Sequence, residues 1–196
     1  MTNVALDVSR SAFRVRAFAV ALGALVVAAA AQVSIPLPGT PVPMTLQPMA
    51  VLLVGGLLGA RLGALSMILY LAMGAAGLPV FTPTVPLVGF ARLFGPTGGY
   101  LLAYPIAAYA VGAIVPLLRS VERGSGGEDW ARVALAVLAG LVLIHLGGLA
   151  QMAIITGSVS GAARLATWPF LLGDLLKLAI LVPVLTKLTP TIRARL

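Results

Sequence analysis

The sequence predicts an all-α integral membrane protein: a single membrane domain over residues 1–196, folded as a six-transmembrane-helix bundle with both termini cytoplasmic. Three observations predict it. The chain is 60% hydrophobic and only 9% charged, with a mean hydropathy of +1.09, whereas a soluble domain carries about 25% charged residues. Its apolar segments are continuous rather than alternating, which argues for helices and against strands. Its basic residues fall overwhelmingly on one side of a six-helix threading, as the positive-inside rule requires.

Taken in order, the apolar segments lie near 14–33, 46–60, 62–78, 98–118, 131–156 and 168–187. A hydrocarbon core needs about 20 apolar residues per helix, with roughly 17–25 tolerated. The second and third segments are short, separated only by Gly59, Ala60, Arg61 and Leu62, and span by thinning the bilayer or running into their loops. The first segment, with Arg14 and Arg16 ahead of an apolar run to Ala31, also resembles a cleavable signal peptide. Its near-spanning length and the hydrophobic chain beyond it favour retention.

Threading six helices from an inside N-terminus puts Arg10, Arg14, Arg16, Arg61, Arg119, Arg123, Arg132, Lys187, Arg193 and Arg195 in the cytoplasm. Only Arg92 and Arg164 fall outside. The same threading places two proline-rich segments, 34–48 and 78–99, on the outer side, with outer loops at 34–45 and 79–97. Proline lacks a backbone donor and fixes φ, so Pro36, Pro38, Pro41, Pro43 and Pro48 exclude a helix from the first. Pro79, Pro83, Pro86 and Pro96 do the same in the second. Long, stiff, apolar loops are more than a solvated connection needs, and non-helical backbone at membrane depth belongs where it lines a cavity or is buried. An outward pocket beneath these loops is the expectation; simple caps on the bundle are the alternative.

Asp174 and Lys177 interrupt the apolar run WPFLLGDLLKLAILVPVL near the outer end of the last helix. Ionisable groups at that depth are costly and mark ligand or ion sites by default. Spaced i,i+3, they share a helix face, so a self-neutralising pair with Lys177 snorkelling outward is the competing explanation. Arg92 offers a planar fork for a carboxylate, or snorkels at the interface. Thr45 and Gln47 either orient a ligand or cap the second helix. Tyr100 presents a hydroxyl to the pocket or anchors the interface. His145 is expected to bond another helix rather than a ligand, and Gln151 is left open between the two.

Several functions are excluded by what is missing. The +8 net charge forms no single basic face, which excludes nucleic-acid binding. With no cysteine, one histidine and five carboxylates, neither a metal nor a cofactor is expected. No phosphate-binding loop of the G-x-x-x-x-G-K-[ST] type exists, nor any nucleophile motif, so the chain is not expected to be an enzyme. Glu122, Glu128 and Asp129 read as a solvated charge run. Ala17, Ala21, Ala24 and Ala28, with Gly23, give the first helix a small-residue stripe that suits either a partner helix or internal packing.

The runs IPLPGTPVPMTLQPMAVLLVGGLLGARLGALSMILYLAMGAAGLPVF and ARLFGPTGGYLLAYPIAAYAVG, together with GDLLK, resemble the BioY family, the biotin-specific capture subunits of energy-coupling-factor (ECF) vitamin transporters. The resemblance covers nearly all of the chain after residue 15. It implies a membrane-embedded subunit that captures biotin at the outer face and works with a coupling module of one transmembrane subunit and two ATPases, docked at Ala17 and Ala21. It also implies roles for the pocket. Asp174 would accept ureido N–H groups, and Lys177 would donate to the ureido carbonyl or keep Asp174 ionised. Arg92 would take the carboxylate, with Gln47, Thr45 and Tyr100 as further contacts and Phe81 or Phe94 as walls. A stand-alone facilitator or ion-coupled carrier for a small carboxylated solute is the alternative function.

Overall fold

Proline-bounded apolar segments fold here as helices, because a helix satisfies its own backbone polar groups where no water is available. The computed structural model describes residues 2–120 and 126–196, with side chains described over 12–115 and 130–196. Arg10, Arg119, Glu122, Arg123, Glu128 and Asp129, used above for topology and charge, lie outside the described side chains.

The described chain is helical apart from one short pair of strands. Helix α1 spans Thr2–Gln32, α2 Gln47–Leu58, α3 Ala60–Ala75, α4 Gly98–Ser120, α5 Gly126–Thr156, α6 Val159–Ala166 and α7 Leu171–Arg193. Among the described residues, four stretches are long and apolar enough to cross a membrane: Ala12–Gln32, Gly98–Val115, Trp130–Thr156 and Val159–Arg193. Helices α2 and α3 are shorter, at 12 and 16 residues. Gly59 alone joins them, at φ +86°, a conformation that side-chain-bearing residues rarely adopt.

Three features depart from the sequence reading. The short helix α6 lies between the expected fifth and last helices; the Ser158 side chain starts it by accepting a bond from the Gly161 N–H at 3.1 Å. Helix α7 runs to Arg193, beyond the expected end at 187, with Pro183 and Pro190 inside it. The first proline-rich segment is not strand-free: β1 (Ser34–Ile35) pairs antiparallel with β2 (Met44–Thr45), closing it into a tight lobe.

The core is the bundle's own apolar interior, with Leu52, Met67, Val111, Ile144, Leu181 and Leu185 almost fully buried. Outward faces are equally apolar: Phe18, Leu172 and Ile154 are mostly exposed, which a lipid solvent permits. Glycines let helices touch backbone to backbone. A Cβ on Gly99 of α4 would lie 2.1 Å from the Gly147 carbonyl oxygen of α5, so small residues set this crossing. At the far end from the proline loops, Arg193 donates to the Gly56 carbonyl from Nη2 (2.7 Å) and to that of Gly112 (3.1 Å). Helix α7 is thereby tied to the end of α2 and to α4.

Ala24 and Ala28 of the alanine stripe are buried, whereas Ala17 is exposed and Ala21 half-buried. A Cβ on Gly23 would collide with Ser66 and Val54. The stripe therefore divides, its inner half serving packing within the bundle.

Candidate functional site

A 3-10 turn at Trp168–Phe170 leads into α7 and sets Asp174 in its first turn, where the helix dipole favours a carboxylate. Lys177 follows one turn later. Both are 7% exposed. The Lys177 Nζ donates to Asp174 Oδ1 at 2.9 Å, and the His145 Nε2 of α5 lies 2.5 Å from Asp174 Oδ2. The carboxylate is thus held from two helices. Asp174 is the only acidic side chain among those described.

The second proline-rich segment folds around Arg92. A 3-10 turn over Gly89–Phe94 carries Arg92 inward until it is 1% exposed. Its Nη1 donates to the carbonyls of Val85 (2.5 Å) and Leu87 (2.8 Å), and its Nη2 to that of Thr82 (2.8 Å). No described carboxylate pairs with it. Its Nε–H is buried and unpartnered. Burial lowers the guanidinium's pKa from its ordinary value, but arginine remains charged. Phe81 supports the same loop: its ring lies where a Cβ on Gly74 of α3 would stand, packs edge-on to Tyr70 at 5.5 Å, and has the Arg92 guanidinium 6.0 Å from its centroid.

These groups converge on one cavity, with about 580 Å³ of empty space including its solvent-open part. Asp174, Lys177, Arg92, Gln47, Thr45, Tyr100 and Phe81 all line it. Phe94 does not. With three residues per turn, a 3-10 helix that points Arg92 inward leaves positions two residues away on other sides; Phe94 is 69% exposed and packs edge-on to Phe90 at 5.4 Å.

Other expected contacts are partly spent within the protein. The Gln47 Nε2 donates to the Tyr70 hydroxyl at 2.6 Å, and the Thr45 hydroxyl accepts from the Gln47 backbone N–H at 3.3 Å. Thr45 therefore steadies the start of α2 as well as lining the cavity. The Tyr100 hydroxyl donates to the Ala166 carbonyl, leaving its ring as wall. A Cβ on Gly148 would overlap that ring, so the glycine makes its place. Gln151 lies outside the cavity and donates to the carbonyls of Leu93 (3.0 Å) and Gly95 (2.7 Å), anchoring the end of the Arg92 turn.

Sequence reasoning did not assign Tyr104, Thr82, Thr97 or Phe170 to the cavity, all of which line it. Tyr104 and Phe170 sit in apolar runs where an aromatic carries no distinguishing signal. His145 makes the interhelical bond expected of it and also lines the cavity.

The site can therefore do three things at once. It offers a carboxylate with spare lone pairs to N–H donors, two unspent Lys177 protons to an acceptor, and apolar walls from Phe81, Tyr100, Leu141 and Phe170. Counting Asp174 against Lys177 and Arg92, its cations outnumber its one anion.

A family model described as the BioY family matches residues 5–194. The chain is 37% identical to the probable biotin transporter BioY of Pyrococcus horikoshii over 169 residues, covering 86% of this chain and 93% of that one. It is 33% identical to the biotin transporter BioY of Thermotoga maritima over 150 residues, covering 76% and 81%. Among solved structures, the S-component for biotin from an ECF-type ABC transporter superposes with a TM-score of 0.74 at 25% identity, covering 93% of this chain and 92% of that one.

Proposed function

Because this chain belongs to the BioY family, we propose that its cavity is a biotin site and that it acts as the biotin-capturing membrane subunit of an ECF-type uptake transporter. It is a multi-pass protein of the cytoplasmic membrane. The observation that carries the reading is the union of the Asp174–Lys177 pair and the buried Arg92 in one apolar-walled cavity. Such a make-up is usual for a small-ligand site.

Biotin matches that chemistry group by group. Its ureido ring has two N–H donors and a carbonyl, its thioether ring is apolar, and its side chain ends in a carboxylate. Asp174 accepts ureido N–H groups through the lone pairs left beside Lys177 and His145; Lys177 has two donors left for the ureido carbonyl. Arg92 has five N–H groups, three of them spent on carbonyls. Two remain, Nε–H and one on Nη2, the number a bidentate carboxylate takes. A ligand anion then offsets the excess of Lys177 and Arg92 over Asp174. Calorimetric titration of the detergent-purified protein should give saturable 1:1 binding of biotin. Absence of heat and of saturation up to millimolar biotin would refute the reading.

The finer assembly is proposed on the same footing. Helices α1, α2, α3, α4, α5 and α7 cross the bilayer, the two proline loops face outward, and both termini are cytoplasmic; the distribution of Lys and Arg supports this orientation. The chain has no cysteine, so single-cysteine variants report topology cleanly. Thr84→Cys is expected to react with an impermeant thiol reagent in intact cells, and Arg61→Cys only after permeabilisation; the reverse pattern would invert the orientation. Lipid surrounds the exposed apolar faces. The exposed Ala17 and half-buried Ala21 of α1 form the docking surface for the transmembrane subunit of an ECF coupling module.

A further inference from the structure

A second, almost wholly apolar recess lies beside the ligand cavity, on the outer surface between α5 and α7. It is walled by leucines such as Leu138, Leu146 and Leu175, each about half exposed or more, and so opens toward the bilayer. Leu141, His145 and Asp174 line both spaces. The partition between the charged cavity and this recess therefore includes a single layer made by three side chains, with the contact of His145 Nε2 with Asp174 Oδ2 at 2.5 Å within it.

A leucine would seal such a seam at lower cost, since an imidazole at membrane depth must be hydrogen-bonded. The ring has one protein hydrogen bond: Nδ1 is buried and unpartnered, and because an ionised carboxylate can only accept, Nε2 is the donor in the contact with Asp174. Lys177 holds Oδ1 from within α7; His145 holds Oδ2 from a different helix. Together they fix the direction of the lone pairs left for a ligand.

We propose that His145 is a positioning residue for biotin capture, orienting Asp174 across the α5–α7 seam and closing the cavity against the bilayer. The inference rests on the reading of Asp174 as a ligand contact.

Three variants separate the donor from the wall. His145→Gln keeps a donor of similar reach and much of the bulk; His145→Phe keeps the bulk alone; His145→Ala keeps neither. Biotin affinity, measured by titration on protein that remains monodisperse in detergent, should stay within about threefold of wild type in His145→Gln. It should fall about 10- to 100-fold in His145→Phe, the range for a hydrogen bond to a charged group, and at least as far in His145→Ala. Because His145 acts through Asp174, His145→Phe should cost nothing further in an Asp174→Asn background. Wild-type affinity in His145→Phe, no rescue by Gln, or full additivity with Asp174→Asn would each overturn the proposal. If Asp174→Asn alone leaves biotin binding unchanged, it is the underlying site reading that fails. If a variant does not fold, the Gln variant and the Asp174→Asn pair still decide the matter.

Discussion

Biotin binding is expected to fall by about 30- to several-thousand-fold in both Asp174→Asn and Lys177→Ala, the penalty for removing one partner of a buried charged contact. Asparagine keeps the shape and one acceptor for Lys177, but it strips the charge that the ammonium faces at 2.9 Å. Lysine then stands buried without a counter-ion, and the ureido N–H groups meet a weaker acceptor. Alanine at 177 does the opposite, leaving the carboxylate with His145 alone and the ureido carbonyl without its donor. Loss of fold is the competing explanation, because breaking a buried pair costs about 3–5 kcal/mol in stability. A double replacement by leucine answers it. Removing both charges at once is often neutral for folding, so Asp174→Leu/Lys177→Leu is expected to keep its thermal unfolding transition in detergent while binding no biotin. Wild-type affinity in either single variant, by calorimetric titration, would refute the site.

The parts of this site that were legible in the sequence are those where chemistry violates its surroundings. Asp174 and Lys177 stand out because charge is costly at membrane depth, and Arg92 because it has no acid near it in its own loop. The proline clusters marked where helices must stop, and loops stiff enough to cover a cavity. What stayed hidden depends on three-dimensional neighbours. Whether Phe81 or Phe94 turns inward was set by the phase of a six-residue 3-10 turn and by the space left at Gly74, neither of which has a period readable in one sequence. Tyr104 and Phe170 are ordinary aromatics in apolar runs until the bundle brings them together. Helix α6 had a signal, a serine three residues before a glycine whose N–H it caps, but small residues on either side resemble a loop. Gln47 and Tyr100 were found as polar groups near the site. Their main partners, Tyr70 and the Ala166 carbonyl, lie 23 and 66 residues away in the chain and could not be.

Arg92 holds its own loop together and is proposed to take the ligand's carboxylate, and its replacement should separate the two roles. In Arg92→Lys the charge persists, but an ammonium cannot reproduce a planar fork that reaches the carbonyls of Thr82, Val85 and Leu87 while keeping two donors for a ligand. Biotin affinity is expected to fall about 10- to 100-fold in Arg92→Lys, the range for losing one or two charge-assisted bonds, and at least as far in Arg92→Ala. In Arg92→Ala three carbonyls also lose their donor, so the loop over 79–97 should become open to limited proteolysis. The uncharged amide of biotin distinguishes the two roles. If Arg92 takes the carboxylate, wild-type protein prefers biotin to its amide, and in Arg92→Ala that preference vanishes because the acid has lost its counter-ion. If biotin and the amide weaken in parallel, the guanidinium serves the loop alone, and the site's excess of cations answers to some other end. The unpartnered Nε–H favours the first outcome: a buried donor left empty costs about 1–3 kcal/mol, a cost that a bound carboxylate would remove.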